Sequence, residues 1–308
     1  MVNLATNIVE VGGHPHAYEL TPTTQSPSPV LVFVHGWLLS RAYWQPVVEQ
    51  LADDFRCLTY DLRGFGGSQM QQVDTSSNPS AAVSTSMEAL PGYTPADYAR
   101  DLTELLQRLQ LDKVWLVGHS LGGSIALWAA EQMPDRVKGV ICVNSGGGIY
   151  LKEEFERFRA AGEKLVKLRP RWLCYLPLLD VMMSWMNVAS PLSLAWGRQR
   201  LLDWTVAERD AALGALLEST TEDEVHRLPQ VVSRLQQPVY FITGQKDTVM
   251  EPQYVQHLAS FHPLFQSEEG NVIQIPNCGH LAMLERTDSV VENIQTILTR
   301  HRQTAQQA

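Results

Sequence analysis

Short runs of apolar, β-branched residues recur along the chain, and stretches with helical spacing lie between them. Val30–Val34 and Val114–Val117 are apolar at consecutive positions. Both faces of such strands must be covered, as happens in the centre of a parallel sheet. Arg56–Tyr60, Val137–Val143, Pro238–Thr243 and Asn271–Ile275 repeat the pattern, and two lighter extended segments, Ile8–Val11 and Ala17–Leu20, precede them. Helical periodicity covers Ser40–Ala52, Thr94–Leu109, Leu121–Met133 and the neighbourhood of Gln253–Ser260, and a last helix ends near Arg302. Thr94-Pro95 supplies an N-cap and a first-turn proline, and Pro134 stops the helix that begins at Leu121. Strands alternating with helices predict the α/β class, with a mostly parallel central sheet covered on both faces.

The alternation stops after the strand at Val137–Val143. Residues 148–236 contain helical stretches and no convincing strand, and the strand pattern resumes at Pro238. The expected organisation is one α/β core, residues 1–147 and 237–308, interrupted by a helical cap at 148–236, whose length suits a small domain. Residues 69–92 are rich in Ser, Ala, Gln and Thr with almost no large apolar side chain, which predicts a mobile surface loop.

Composition narrows the function classes. The 308 residues hold 24 Lys and Arg against 33 Asp and Glu, a formal net charge of −9. A phosphate-backbone binder would want a basic face, so nucleic acid is not an expected partner. Cys57, Cys142, Cys174 and Cys278 lie far apart, with no spacing that suggests zinc, and read as buried or partly buried thiols. The N-terminal residues carry neither a basic nor an apolar leader region, and no apolar run is long enough to span a bilayer. A cytoplasmic protein, peripheral to a membrane at most, is the expectation.

Gly118-His-Ser-Leu-Gly122 stands where a buried strand hands over to an apolar helix. A turn this tight needs small residues two positions either side of the serine, and it lifts the Ser120 hydroxyl above the strand end. A serine hydroxyl is a weak nucleophile and requires a general base. The acid and the histidine follow the nucleophile in this chain order. Asp247, in Gly244-Gln-Lys-Asp247, and His280, in Asn277-Cys-Gly-His280, each come just past a predicted strand. Carboxyl ends of strands are where open α/β sheets build their sites. His119 reads as an orienting neighbour, Asp61 as the organiser of its own turn, and His14, His16, His226, His257, His262 and His301 as surface residues. An acyl-transfer site also needs donors for a developing oxyanion. The N–H of Leu121 is expected to supply one, and the N–H of Trp37, with Leu38 next in line, the other.

With these blocks in view, the sequence resembles the α/β-hydrolase superfamily, in the branch that carries a cap over the site. His35-Gly36-Trp37, Asp61-Leu-Arg-Gly-Phe-Gly-Gly-Ser68, Gly118-His-Ser-Leu-Gly-Gly123, Gly244-Gln-Lys-Asp247 and Gly279-His280-Leu-Ala-Met-Leu-Glu285 match family blocks in order. The resemblance covers the core from about residue 30 to the final helix, but neither the cap nor residues 69–92. It implies a triad of Ser120, Asp247 and His280, with no metal or organic cofactor. Haloalkane dehalogenases and epoxide hydrolases of this branch carry aspartate at the nucleophile position, so Ser120 argues against both. Thr287 departs from the proline that relatives often have there, which affects a helix start and not the chemistry. Val143-Asn-Ser-Gly-Gly147 followed by an aromatic cap is similar to plant and cyanobacterial hydrolases that remove phytol from chlorophyll pigments.

The cap is rich in Trp and Met. Its side chains either pack it against the core or line a wide pocket for an acyl or isoprenoid chain, for which Trp172, Met182, Met183, Trp185, Met186 and Trp196 are the candidates. A transient membrane contact through the same face is a third reading. The expected partner is a small hydrophobic ester, and the oligomeric state is left open. The same triad also serves carbon–carbon bond hydrolases and cofactor-free perhydrolases, and a ligand receptor on this fold can keep all three residues. The apolar cap favours esters over the dicarboxylates of ring-cleavage hydrolases.

Overall fold

The computed structural model describes residues 4–24, 29–70, 92–146, 152–176, 178–268 and 270–307. The first half of the chain folds as β1 (Asn7–Val11), β2 (His14–Leu20), β3 (Val30–Val34), α1 (Gln45–Leu51), β4 (Cys57–Tyr60), α2 (Pro95–Arg108), β5 (Val114–His119), α3 (Leu121–Gln132) and β6 (Val137–Val143). Five helices follow: α4 (Lys152–Lys167), α5 (Leu179–Trp185), α6 (Leu194–Val206), α7 (Arg209–Ser219) and α8 (Glu222–Arg234). The core resumes with β7 (Val239–Gly244), α9 (Pro252–Ala259), β8 (Val272–Ile275), α10 (Ala282–Glu285) and α11 (Thr287–Gln307). The eight strands form one sheet in the order β1-β2-β4-β3-β5-β6-β7-β8. The two pairings that involve β2 are antiparallel and the rest are parallel.

The consecutive apolar runs find their explanation in the two faces of this sheet. Leu31, Phe33, Trp115, Val117, Ile141 and Val143 join one buried cluster, together with residues of α1 and α11. Their chain neighbours Val32, Val34, Leu116, Val140 and Cys142 join the opposite cluster, against α2, α3 and α8. Successive strand side chains point to opposite faces, so a strand covered on both sides must be apolar at every position. All six residues of β5 and of β7 are buried. At the start of α2 the Thr94 hydroxyl accepts from the Asp97 N–H at 3.1 Å and the Asp97 carboxylate accepts from the Thr94 N–H at 3.0 Å, which pairs two otherwise orphaned donors.

The helical connection between β6 and β7 is the inserted cap. Its last helix leans on the core: Leu228, Val231 and Val232 of α8 sit in the cluster that holds α3, and the Trp128 indole donates to Glu224 at 2.6 Å. The expected loop at 69–92 lies for the most part outside the described residues. His16 and His262, read from sequence as surface residues, are buried. β2 turns His16 inward, and His262 accepts from the Leu264 N–H at 3.2 Å and donates to the Gln237 carbonyl at 3.0 Å. The four cysteines are free thiols, three of them buried and Cys174 half-buried. No helix among the described residues is long and apolar enough to cross a membrane.

Candidate active site

Between β5 and α3 the backbone of Ser120 takes φ 52° and ψ −120°, a conformation that costs energy for a residue with a side chain. The neighbouring glycines make room for it. A methyl group on Gly122 would stand 2.3 Å from the Val34 carbonyl oxygen, so α3 starts directly on the end of β3. A methyl on Gly36 would stand 2.8 Å from His119 Nδ1 and 3.2 Å from Ser120 Cβ. The loop after β3 therefore passes against the serine, and Trp37, one residue on, brings its amide to that region. Leu121 opens α3, where the first-turn amides have no partner within the helix. The Trp37 indole donates to the Ala212 carbonyl of α7 at 2.8 Å, which ties this loop to the cap.

Asp247 follows β7 and His280 follows β8, and the two are hydrogen-bonded. His280 Nδ1 lies 2.8 Å from Asp247 Oδ2, and both residues are buried. Asp247 Oδ1 accepts from the amides of Val249 at 2.8 Å and Met250 at 2.9 Å. Burial alone would raise the Asp247 carboxyl, but the His280 imidazole and these two amides outweigh it and hold the group below its usual range. Asp247 is thus an anion that keeps the proton of His280 on Nδ1. The His119 ring lies 4.8 Å from that of His280, centroid to centroid, and its Nε2 donates to the His280 carbonyl at 2.7 Å. Burial, and then the adjacent His280, pushes His119 down to about 3, so it stays neutral. Because His119 directly precedes Ser120, this bond ties the histidine loop to the serine turn.

Three further groups hold the arrangement, and sequence reading assigned a role to none of them. Asn144, at the end of β6 with φ 49°, donates to Asp247 Oδ2 at 2.7 Å and to the Gly279 carbonyl at 3.1 Å. The Glu285 carboxylate accepts from the amides of Gly279 at 3.1 Å, Leu281 at 3.2 Å and Ala189 at 2.7 Å. It therefore clamps both sides of His280 and the cap in one place. The Asn187 carbonyl of the cap accepts from the His280 N–H at 2.9 Å. Asn144 could have been noticed as a small polar residue at a strand's carboxyl end, and Glu285 as an acid five residues past the histidine. Asp61 does organise its own turn: it accepts from the Arg41 N–H at 2.6 Å and the Gly67 N–H at 2.7 Å, and pairs with the Arg41 guanidinium.

Comparison with known proteins identifies the family. A family model described as the alpha/beta hydrolase fold matches residues 29–179. The 2-succinyl-6-hydroxy-2,4-cyclohexadiene-1-carboxylate synthase of Salmonella typhimurium is 30% identical over 276 residues, which cover 89% of this chain and 95% of that protein. The chain belongs to the α/β-hydrolase family. Solved structures repeat the family fold across the whole molecule. A thermophilic esterase from Thermogutta terrifontis superposes with a TM-score of 0.71 at 23% identity, covering 96% of this chain and 98% of that one. A bromoperoxidase from Bacillus anthracis superposes with a TM-score of 0.75 at 20% identity, covering 96% and 100%.

In this α/β-hydrolase the cap residues expected to share one pocket are divided between the exterior and the two core clusters. Trp172, Met182 and Trp185 stand on the outside, 59%, 52% and 63% exposed. Met183 is buried and Met186 packs on the core cluster beside it. Trp196 packs the other way, with its ring 5.5 Å from that of Tyr43. The correction has a simple cause: α5 has apolar residues on more than one face, and only the face that meets α6 turns inward. Among the described residues no group of three His, Cys, Asp or Glu side chains converges as a metal site.

In the loop after β3, Ser40 donates to Asp203 of α6 at 3.1 Å. Burial pushes the Asp203 carboxyl up from 3.8 to about 7, against the hydrogen bonds from Gln199 and Ser40. The folded chain then keeps a proton that the unfolded chain releases above about pH 4, so stability is lost as pH rises from about 4 to about 7 and is level beyond. Asp203→Asn removes this dependence. Relative to the variant, the parent should lose about 3 kcal/mol of unfolding free energy between about pH 5 and about pH 8, read from urea titrations. An equal difference at both pH values would mean that Asp203 ionises alike in the folded and unfolded chains.

Proposed function

We propose that this protein is a serine hydrolase that cleaves a carboxylic ester with a hydrophobic acyl or alcohol part through an acyl-enzyme. The observation that carries the reading is the 2.8 Å bond from His280 to the Asp247 carboxylate, at the sheet edge where Ser120 sits in its strained turn. Ser120 Oγ attacks the ester carbonyl carbon while its proton passes to His280 Nε2. The carbonyl oxygen becomes an oxyanion, which the amides of Trp37 and Leu121 stabilise. The intermediate collapses, and the departing alcohol takes the proton from Nε2. Water then gives a proton to Nε2 and attacks the acyl carbon, and the acid leaves as Ser120 recovers its proton. Asp247 holds the imidazole in the tautomer with hydrogen on Nδ1 and stabilises its charged form.

The described partners of the three residues are uncharged, which supports an uncharged substrate. Gly36, His119, Asn144, Val249, Met250 and Asn187 bond or abut the three residues, and none brings a positive charge. A second reading comes from the Salmonella relative, whose name describes the synthesis of a carboxylate. In that case the same serine and histidine would act on a bond other than an ester, and a cation near Ser120 would be expected to meet the carboxylate.

The deciding experiment is a chain-length series of p-nitrophenyl esters from acetate to palmitate, with the Ser120→Ala protein as blank. The expected result is a kcat/KM that rises about tenfold for every two methylenes buried, until the site is filled. A preference for acetate would restrict the enzyme to small esters. Absence of any serine-dependent turnover would shift the reading to the relative's kind of reaction, or to a receptor.

A further inference from the structure

Nine of the thirteen large hydrophobic side chains that stand exposed in the described structure fall between Leu168 and Leu194. Leu168, Trp172, Tyr175, Leu178, Met182 and Trp185 are each more than half exposed. Trp172 and Tyr175 are three residues apart in a 3-10 turn (Arg171–Tyr175), a spacing that puts them on one side. Leu178, Met182 and Trp185 follow at four and three residues, one stripe along α5, while Met183 and Ser184 face inward. α6 covers the side of α5 that carries Met183 and Ser184, and Met182 and Trp185 stand on the side it leaves open.

Charge indicates what the cover is. Residues 163–199 hold Lys164, Lys167, Arg169, Arg171 and Arg198 against Asp180 and Glu163, the latter paired with Lys167 at 2.8 Å, in a chain whose net charge is −9. The apolar stripe thus lies in a basic stretch of an acidic molecule, and a cover of complementary charge is anionic. Tryptophan and tyrosine, with an apolar body and a polar tip, suit the boundary between lipid tails and headgroups. We propose that this outer face of the cap docks on an anionic lipid bilayer, lying in the interface rather than crossing it. The stripe ends at Trp185, two residues before Asn187, whose carbonyl accepts from the His280 N–H at 2.9 Å. Docking therefore brings the bilayer surface to the segment that borders the candidate active site.

The proposal stands on the surface and does not rest on the ester-hydrolase reading, so binding is measured without turnover. The intact protein and its Ser120→Ala variant are floated with vesicles of phosphatidylcholine and phosphatidylglycerol, and separately with phosphatidylcholine alone. Both proteins should float with the mixed vesicles, several-fold more than with the neutral ones, and raised salt should narrow that gap. Trp172→Ser with Trp185→Ser should lower binding about tenfold at an unchanged melting temperature, since both side chains are exposed. Lys164→Glu with Lys167→Glu should remove the preference for anionic vesicles. Failure of the parent to float, or floating that the double tryptophan substitution leaves intact, overturns the proposal. So does a parent that sediments as a dimer and becomes monomeric on losing the two tryptophans, because the face then covers a second copy of the chain.

Discussion

The Ser120→Ala protein is expected to fold as its parent does and to lose at least about three orders of magnitude of ester turnover. The size of the loss follows from removing the proposed nucleophile, while the proposed oxyanion donors and the rest of the site remain. Folding should be spared for a separate reason. The serine hydroxyl makes no capping bond at the start of α3, and the strained backbone at φ 52° is held by the contacts of Gly118, Gly122 and Gly36 around it. Unfolding free energy should therefore change by no more than about 0.5 kcal/mol. The two measurements together are decisive. Turnover within tenfold of the parent, in a protein that melts normally, would place the nucleophile elsewhere.

Asp247→Asn should be damaging on the same scale, with a loss of about four orders of magnitude in kcat and little change in KM. The reason lies in the donors that surround the carboxylate. Its Oδ1 accepts from two amides, and its Oδ2 accepts from both Asn144 and His280. An asparagine that keeps its oxygen toward the amides of Val249 and Met250 turns its own N–H groups toward Asn144 and His280. The imidazole can meet that group only with hydrogen on Nε2, the tautomer that cannot take the serine proton. Kinetic constants and a melting curve on the purified variant test this, and a loss under tenfold would assign the acid to another residue.

Much of this architecture is local and so could be read along the chain. Consecutive apolar residues marked β3 and β5 because both of their faces are covered. Thr94-Pro95 marked the start of α2 because a cap is formed by neighbours in sequence. The serine turn was equally visible, since its small residues lie within two positions of Ser120. The bonds that hold the site together were not visible in the same way. Asn144 reaches Asp247 across 103 positions, and Glu285 reaches Ala189 across 96. Such bonds depend on which loops the sheet order makes neighbours, and no periodicity in the chain reports it.

The cap shows the same division most clearly. Sequence alone determined that the segment between β6 and β7 is helical and that its stretch from Trp172 to Trp196 is apolar and rich in Trp and Met, because composition and proline positions are properties of the chain itself. It could not determine which of those side chains meet the core. Along α5 apolar residues fall on both the inward and the outward side, so the hydrophobic period carries no direction. Only the packing of α5 on α6 turned Met183 inward and left Met182 and Trp185 outside. The burial that raises the Asp203 carboxyl likewise exists only once α6 lies against the loop after β3. Local pattern sets the elements and the chemistry at their ends, while tertiary contact sets which groups share water, charge and hydrogen bonds.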